Sequence, residues 1–194
     1  MRTVKPSIIF VDPDAARRVL CGMEHVDSRI RRIALIGMPA SGKSSVGALL
    51  AELEALPFVD LDDEIADEAG MTIPDIFADE GEPGFRARER VALANVVARG
   101  SMVLATGGGC VESAENRALL RERCLIVWLK ADLEVLARRS VGGSRPLLVD
   151  DAHGKIQVLY ERRRPLFEAC GGLVMQTDGM RPAMIARAIH DALR

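Results

Sequence analysis

No apolar run in this 194-residue chain approaches the roughly 20 residues that a membrane-spanning helix needs. The start likewise lacks a basic stretch followed by the apolar core that marks secretion, and its acidic residues argue against an organellar transit peptide. A cytoplasmic protein is expected. Charge of one sign is also missing: 26 Lys and Arg stand against 28 Asp and Glu, for a formal net charge of −2. That balance excludes a bulk binder of nucleic acid or acidic membranes, although arginines can still gather where phosphates bind. Cys21, Cys110, Cys124 and Cys170 are not closely paired, and His153 and His190 lie far from them, with His25 alone standing four residues after Cys21. Zinc spacing is therefore absent, and reduced, buried thiols are expected. Repeats and low-complexity segments are missing too. At this length, with 48% hydrophobic residues, one globular domain is expected.

From Arg32 onward apolar strands alternate with amphipathic helices, the pattern of a parallel sheet covered on both faces. Strands are expected at Ile33 to Ile36, Phe58 to Asp60, Met102 to Ala105, Leu125 to Leu129 and Leu173 to Gln176. Helices are expected at Lys43 to Leu56, Asp63 to Ala69, Ile73 to Glu80, Gly84 to Arg99, Ser113 to Arg121, Leu133 to Arg139, Ala152 to Phe167 and Pro182 to Leu193. Residues 1–31 read as an N-terminal extension of unknown role, with Ile8 to Val11 a candidate strand and Ala15 to Met23 a candidate helix. Val141 to Pro146 carries Gly142 and Gly143 and is the expected mobile loop.

Gly37-Met38-Pro39-Ala40-Ser41-Gly42-Lys43-Ser44 has the spacing of a phosphate-binding P-loop, between an apolar strand and a helix. Its backbone N–H groups and the helix N-terminus would cradle phosphates, Lys43 would reach the β- and γ-phosphates, and Ser44 would ligate Mg²⁺. No Asn-Lys-x-Asp guanine-reading segment accompanies it. Asp60-Leu61-Asp62 ends the second strand, where alternation would point both carboxylates one way. Asp60 is then a candidate for Mg²⁺ and Asp62 for a substrate hydroxyl; the alternative is that Asp62 or Asp63 merely caps the next helix. Arg86 precedes Glu89 by three residues, either as an ordinary ion pair or as a guanidinium held for a carboxylate ligand. Gly107-Gly108-Gly109 closes the third strand, for close approach by a ligand or by another element. Arg138, Arg139, Arg145 and Arg163 are candidate phosphate or substrate contacts.

In this order, the stretches Gly37 to Gly47, Asp60 to Asp62, Ile76-Phe77 with Gly81-Glu82 and Phe85-Arg86, Gly107 to Gly109, Arg145 to Leu148, and Arg163 with Pro165 resemble the shikimate kinase family. The resemblance runs from about Ile33 to the C-terminal helix. It implies a P-loop, nucleoside-monophosphate-kinase-like three-layer α/β fold, with a five-stranded parallel sheet in residues 32–194 and a lid at about 141–152. The implied reaction is transfer of the ATP γ-phosphate to the 3-hydroxyl of shikimate, in the pathway to chorismate and the aromatic amino acids. The implied partners are ATP, Mg²⁺ and shikimate, without nucleic acid or membrane, in a monomer. Lys43, Asp62 and Arg145 would be catalytic. Ala40, Ser41, Gly42, Lys43, Ser44, Ser45, Arg138 and Arg145 would hold the nucleotide, and Ser44 and Asp60 the metal. Asp62, Arg86, Gly107, Gly108, Gly109 and Arg163 would hold shikimate. Competing readings are a kinase for another small hydroxylated acid, of aminoshikimate or gluconate type, and a nucleotide-dependent regulatory module. Two departures stand out. Ala40 replaces a further P-loop glycine, tolerable only if the position needs no positive φ, and Phe167 replaces a common tyrosine. Thr177 to Pro182, where relatives contact adenine, matches most loosely.

Overall fold

Alternation along β2 (Arg32–Ile36) sends Ile33 and Leu35 into one apolar cluster and Ala34 and Ile36 into another, all fully buried. Such a strand must be covered on both faces. The computed structural model describes residues 8–10, 31–141 and 149–194. Within them β2, β3 (Phe58–Asp60), β4 (Met102–Ala105), β5 (Leu125–Lys130) and β6 (Leu173–Gln176) form the expected five parallel strands, in the order β6-β5-β2-β4-β3. A sixth strand, β1 (Ile8–Phe10), joins antiparallel at the β6 edge, pairing Ile9 with Val174. The extension thus contributes to the sheet. The candidate helix Ala15 to Met23 and residues 142–148 of the lid expected at about 141–152, including Arg145, lie outside the described residues.

Helices α1 (Lys43–Glu54) and α7 (Pro182–Ala192) pack Val46, Leu50, Ile185 and Ile189 against the Ile33 and Leu35 face. The other face takes α2 (Leu61–Ala69), α3 (Ile73–Ala98), α4 (Ala114–Arg123), α5 (Leu133–Val141) and α6 (Val149–Cys170), through Ile65, Leu93, Leu120, Leu136 and Phe167 among others. Phe167 is fully buried and stacks on Trp128, ring centroids 5.6 Å apart, so an apolar ring suits this position. Gly81 leaves helical geometry inside α3, at φ 68 and ψ −177. It separates the two helical stretches expected from the sequence. A 3₁₀ turn at Cys110–Glu112 and the extension of α6 to Cys170 were not legible in the pattern. Among the described residues no helix is long and apolar enough to cross a membrane.

The order of strands decides what can meet. β3, β4 and β2 are neighbours, so the chain leaving the carboxyl end of each enters one crevice, where ligands gather in open α/β sheets.

Candidate active site

The P-loop leaves β2 at Gly37 and enters α1 through Gly42, whose φ of 96 closes the turn onto the helix N-terminus. The amino group of Lys43 is buried and donates to the carbonyls of Gly37 and Met38, at 3.1 and 2.9 Å. Burial pulls this lysine down to about 8, against the opposing charges of Asp62 and Asp60. The Ser44 hydroxyl donates to Asp60 at 2.6 Å, which brings together the two residues expected at a metal. The Ser41 hydroxyl is buried without a protein partner. Ala40 has a φ of 63, so the sequence condition that this position avoid positive φ is not met. An alanine there carries about 1 kcal/mol of backbone strain. Ser45 is exposed in the first turn of α1. Arg138 is exposed and, among the described residues, bonds to the Glu134 carbonyl of its own helix, whereas Arg139 reaches the Ala40 carbonyl at 3.5 Å.

Asp60 and Asp62 do not share one extended strand. Asp60 ends β3 and caps α2, its carboxylate accepting from the Asp62 backbone N–H at 3.1 Å, so Asp62 already lies in the helix's first turn. The capping residue is therefore Asp60, neither Asp62 nor Asp63, because helix geometry begins at Leu61. Burial first, then Asp60, raises the Asp62 carboxyl above the ordinary carboxylate range, with Lys43 opposing.

The three glycines after β4 accommodate three different neighbours. A Cβ at Gly107 would stand 2.7 Å from the Asp62 carboxylate, one at Gly108 would stand 2.6 Å from Pro39 of the P-loop, and one at Gly109 would collide with the Arg86 guanidinium. The turn is glycine because the P-loop, the aspartate and the arginine all close on its backbone.

Arg86 is held by acids. Its Nη1 donates to both oxygens of the fully buried Glu89, at 3.1 and 3.0 Å, and its Nη2 donates to Glu82 at 3.2 Å. Its Nε is buried without a partner. Burial would lower this guanidinium, but the charge and hydrogen bonds of Glu89 outweigh it and raise it. Arg163 is buried on α6 and its Nε donates to Glu112 at 2.5 Å; Arg162 donates to the same oxygen at 2.6 Å. Glu112 ends the 3₁₀ turn, bonded back to the Gly109 carbonyl at 2.9 Å. Asn116 braces that turn at the Cys110 carbonyl, and Arg117 at those of Val111 and Glu112. Glu112, Asn116 and Arg117 escaped the sequence reading, and Glu82, which stands in one of the stretches that carry the resemblance, was given no role there. Glu82 stood beside Arg86 at helical spacing and could have been found; Glu112 lies 51 positions from Arg163 and could not.

Comparison with known proteins adds independent support. A family model described as "Shikimate kinase" matches residues 39–194. The shikimate kinase of Marinomonas sp. is 43% identical over 84% of this chain and 91% of its own length, and that of Caulobacter vibrioides is 44% identical over 86% and 84%. The solved shikimate kinase of Acinetobacter baumannii, in complex with shikimate, superposes with a TM-score of 0.80 at 36% identity, covering 89% of this chain and 95% of that one. With a family model spanning most of its length and relatives this similar over more than four fifths of it, the chain belongs to the shikimate kinase family.

Proposed function

We propose that the protein transfers the γ-phosphate of ATP to the 3-hydroxyl of shikimate, giving ADP and shikimate 3-phosphate for chorismate and aromatic amino acid synthesis. One observation carries the acceptor side. Arg86 packs on one end of the Gly109–Glu112 turn and Arg163 bonds to the other, while Asp62 packs on Gly107. Shikimate has one carboxylate and three hydroxyls, and such a site meets it with cationic forks and an acceptor.

On the donor side, Lys43 exchanges the Gly37 and Met38 carbonyls for nucleotide phosphate oxygens, and the P-loop N–H groups and helix terminus hold the remainder. The unpartnered Ser41 hydroxyl fits the same lining. Ser44 and Asp60 supply two oxygen donors 2.6 Å apart, suiting a hard cation that takes its other ligands from phosphates and water. Mg²⁺ held there would neutralise charge on the phosphates. Asp62, its carboxyl raised by burial, orients the attacking hydroxyl and accepts its proton as the bond to phosphorus forms. Phosphoryl transfer asks for positioning and charge stabilisation more than covalent help, and we assign the latter to Lys43 and, from the lid at about 141–152, to Arg145. Arg138 and Ser45 stand as further nucleotide contacts. A cytoplasmic monomer suits soluble small-molecule substrates.

The test is a coupled assay of ADP release with Mg·ATP. Release that depends on shikimate is expected; folded protein that releases none, or releases ADP equally without shikimate, would overturn the assignment.

A further inference from the structure

We infer that Glu112 is a positioning residue that sets acceptor affinity, by committing one edge of the Arg163 guanidinium to the protein and leaving the other for the acceptor's carboxylate. The inference rests on the shikimate reading of the site and extends it to a residue outside the family resemblance.

The geometry is asymmetric. A single oxygen of Glu112 receives Arg163 at 2.5 Å and Arg162 at 2.6 Å. The Nε of Arg163 is thereby spent, and its two Nη groups have no hydrogen bond among the described residues. A guanidinium fixed through Nε presents its Nη pair as a rigid fork, the geometry that binds a carboxylate through two parallel bonds. The Arg163 side chain is 7% exposed and that of Arg162 55%, so the buried arginine is the recognising group and the exposed one tempers the charge of Glu112. The carboxylate is itself fixed, because its backbone is tied to Gly109 and held by Arg117. Burial would raise the Glu112 carboxyl, but bonds from Arg163 and Arg162 outweigh it and lower it, so the acid stays charged at neutral pH.

Arg86 is also held by acids but through the opposite edge: Glu89 and Glu82 take its Nη groups, and its Nε is left without a partner. Each cationic fork therefore has its own acidic brace, and Glu112 is the one contributed by the turn after β4.

The test compares the full-length wild type with Glu112→Ala, Glu112→Gln and Glu112→Asp, measuring kcat, both KM values and the calorimetric Kd for shikimate. Loss of a charge-assisted brace should raise the shikimate KM and Kd of Glu112→Ala about tenfold, with kcat and the ATP KM within about twofold. Glu112→Gln keeps an acceptor oxygen and should recover most of the affinity. Should the alanine variant fold poorly by thermal denaturation, Glu112→Asp supplies the readout: its shortened reach should raise the shikimate KM selectively. An unchanged or lower shikimate KM in these variants, or an equal rise in the ATP KM, would overturn the inference while normal wild-type turnover leaves the reaction standing. Wild-type protein without shikimate-dependent turnover would remove both.

Discussion

The two halves of the crevice are built by different means. At the donor half the backbone does the holding: Lys43 sits on the carbonyls of its own loop, and Gly42 turns that loop onto a helix terminus. At the acceptor half side chains hold side chains, with Arg86 gripped by Glu89 and Glu82 and Arg163 by Glu112. Pro39 against Gly108 joins them. A phosphate chain is bound well by many weak donors on one contiguous loop, whereas a small acid needs a few fixed charges brought from several elements.

Four substitutions should separate the halves, in falling order of effect. Lys43→Ala removes a buried cation of the donor half and should lower kcat by about 10²- to 10³-fold, while calorimetry finds shikimate binding nearly intact. Arg163→Ala or Arg86→Ala should do the converse, reducing kcat/KM for shikimate about 100-fold with the ATP Kd almost unchanged. Equal losses for both ligands would erase the distinction. Ala40→Gly should be the mildest, since glycine relieves the left-handed strain but frees the unfolded chain, for a net gain of about 0.5 kcal/mol in urea unfolding.

The same comparison predicts a pH response. Glu112 has its carboxyl lowered in the folded protein, with burial outweighed by its arginines. Its contribution to stability is therefore fully present above the ordinary glutamate range and is lost only as pH falls through the lowered value. The shikimate KM ratio between Glu112→Ala and wild type should stay constant from about pH 6 to 8, as steady-state kinetics across that range will check.

How legible each half was follows from its construction. The P-loop is one contiguous spacing, and its flanking strand and helix appear where periodicity put them. The five strands were legible because buried parallel strands read as short apolar runs. The acceptor half was legible only as parts: Arg86 with Glu89 at helical spacing, and three glycines whose neighbours no local pattern could name. Alternation misjudged Asp62 because Asp60 starts a helix at once, and Ala40 sits at positive φ because the loop's closure overrides the local preference of alanine. The brace of Arg163 by Glu112 depends on a 3₁₀ turn meeting a distant helix, a tertiary fact with no local trace.

The central claim is that these halves meet over one transfer, and phosphorus NMR of the product tests it most directly. Incubation of protein, Mg·ATP and shikimate should yield ADP and a phosphate monoester on the 3-hydroxyl of shikimate. Inorganic phosphate alone, with shikimate recovered unchanged, would contradict it.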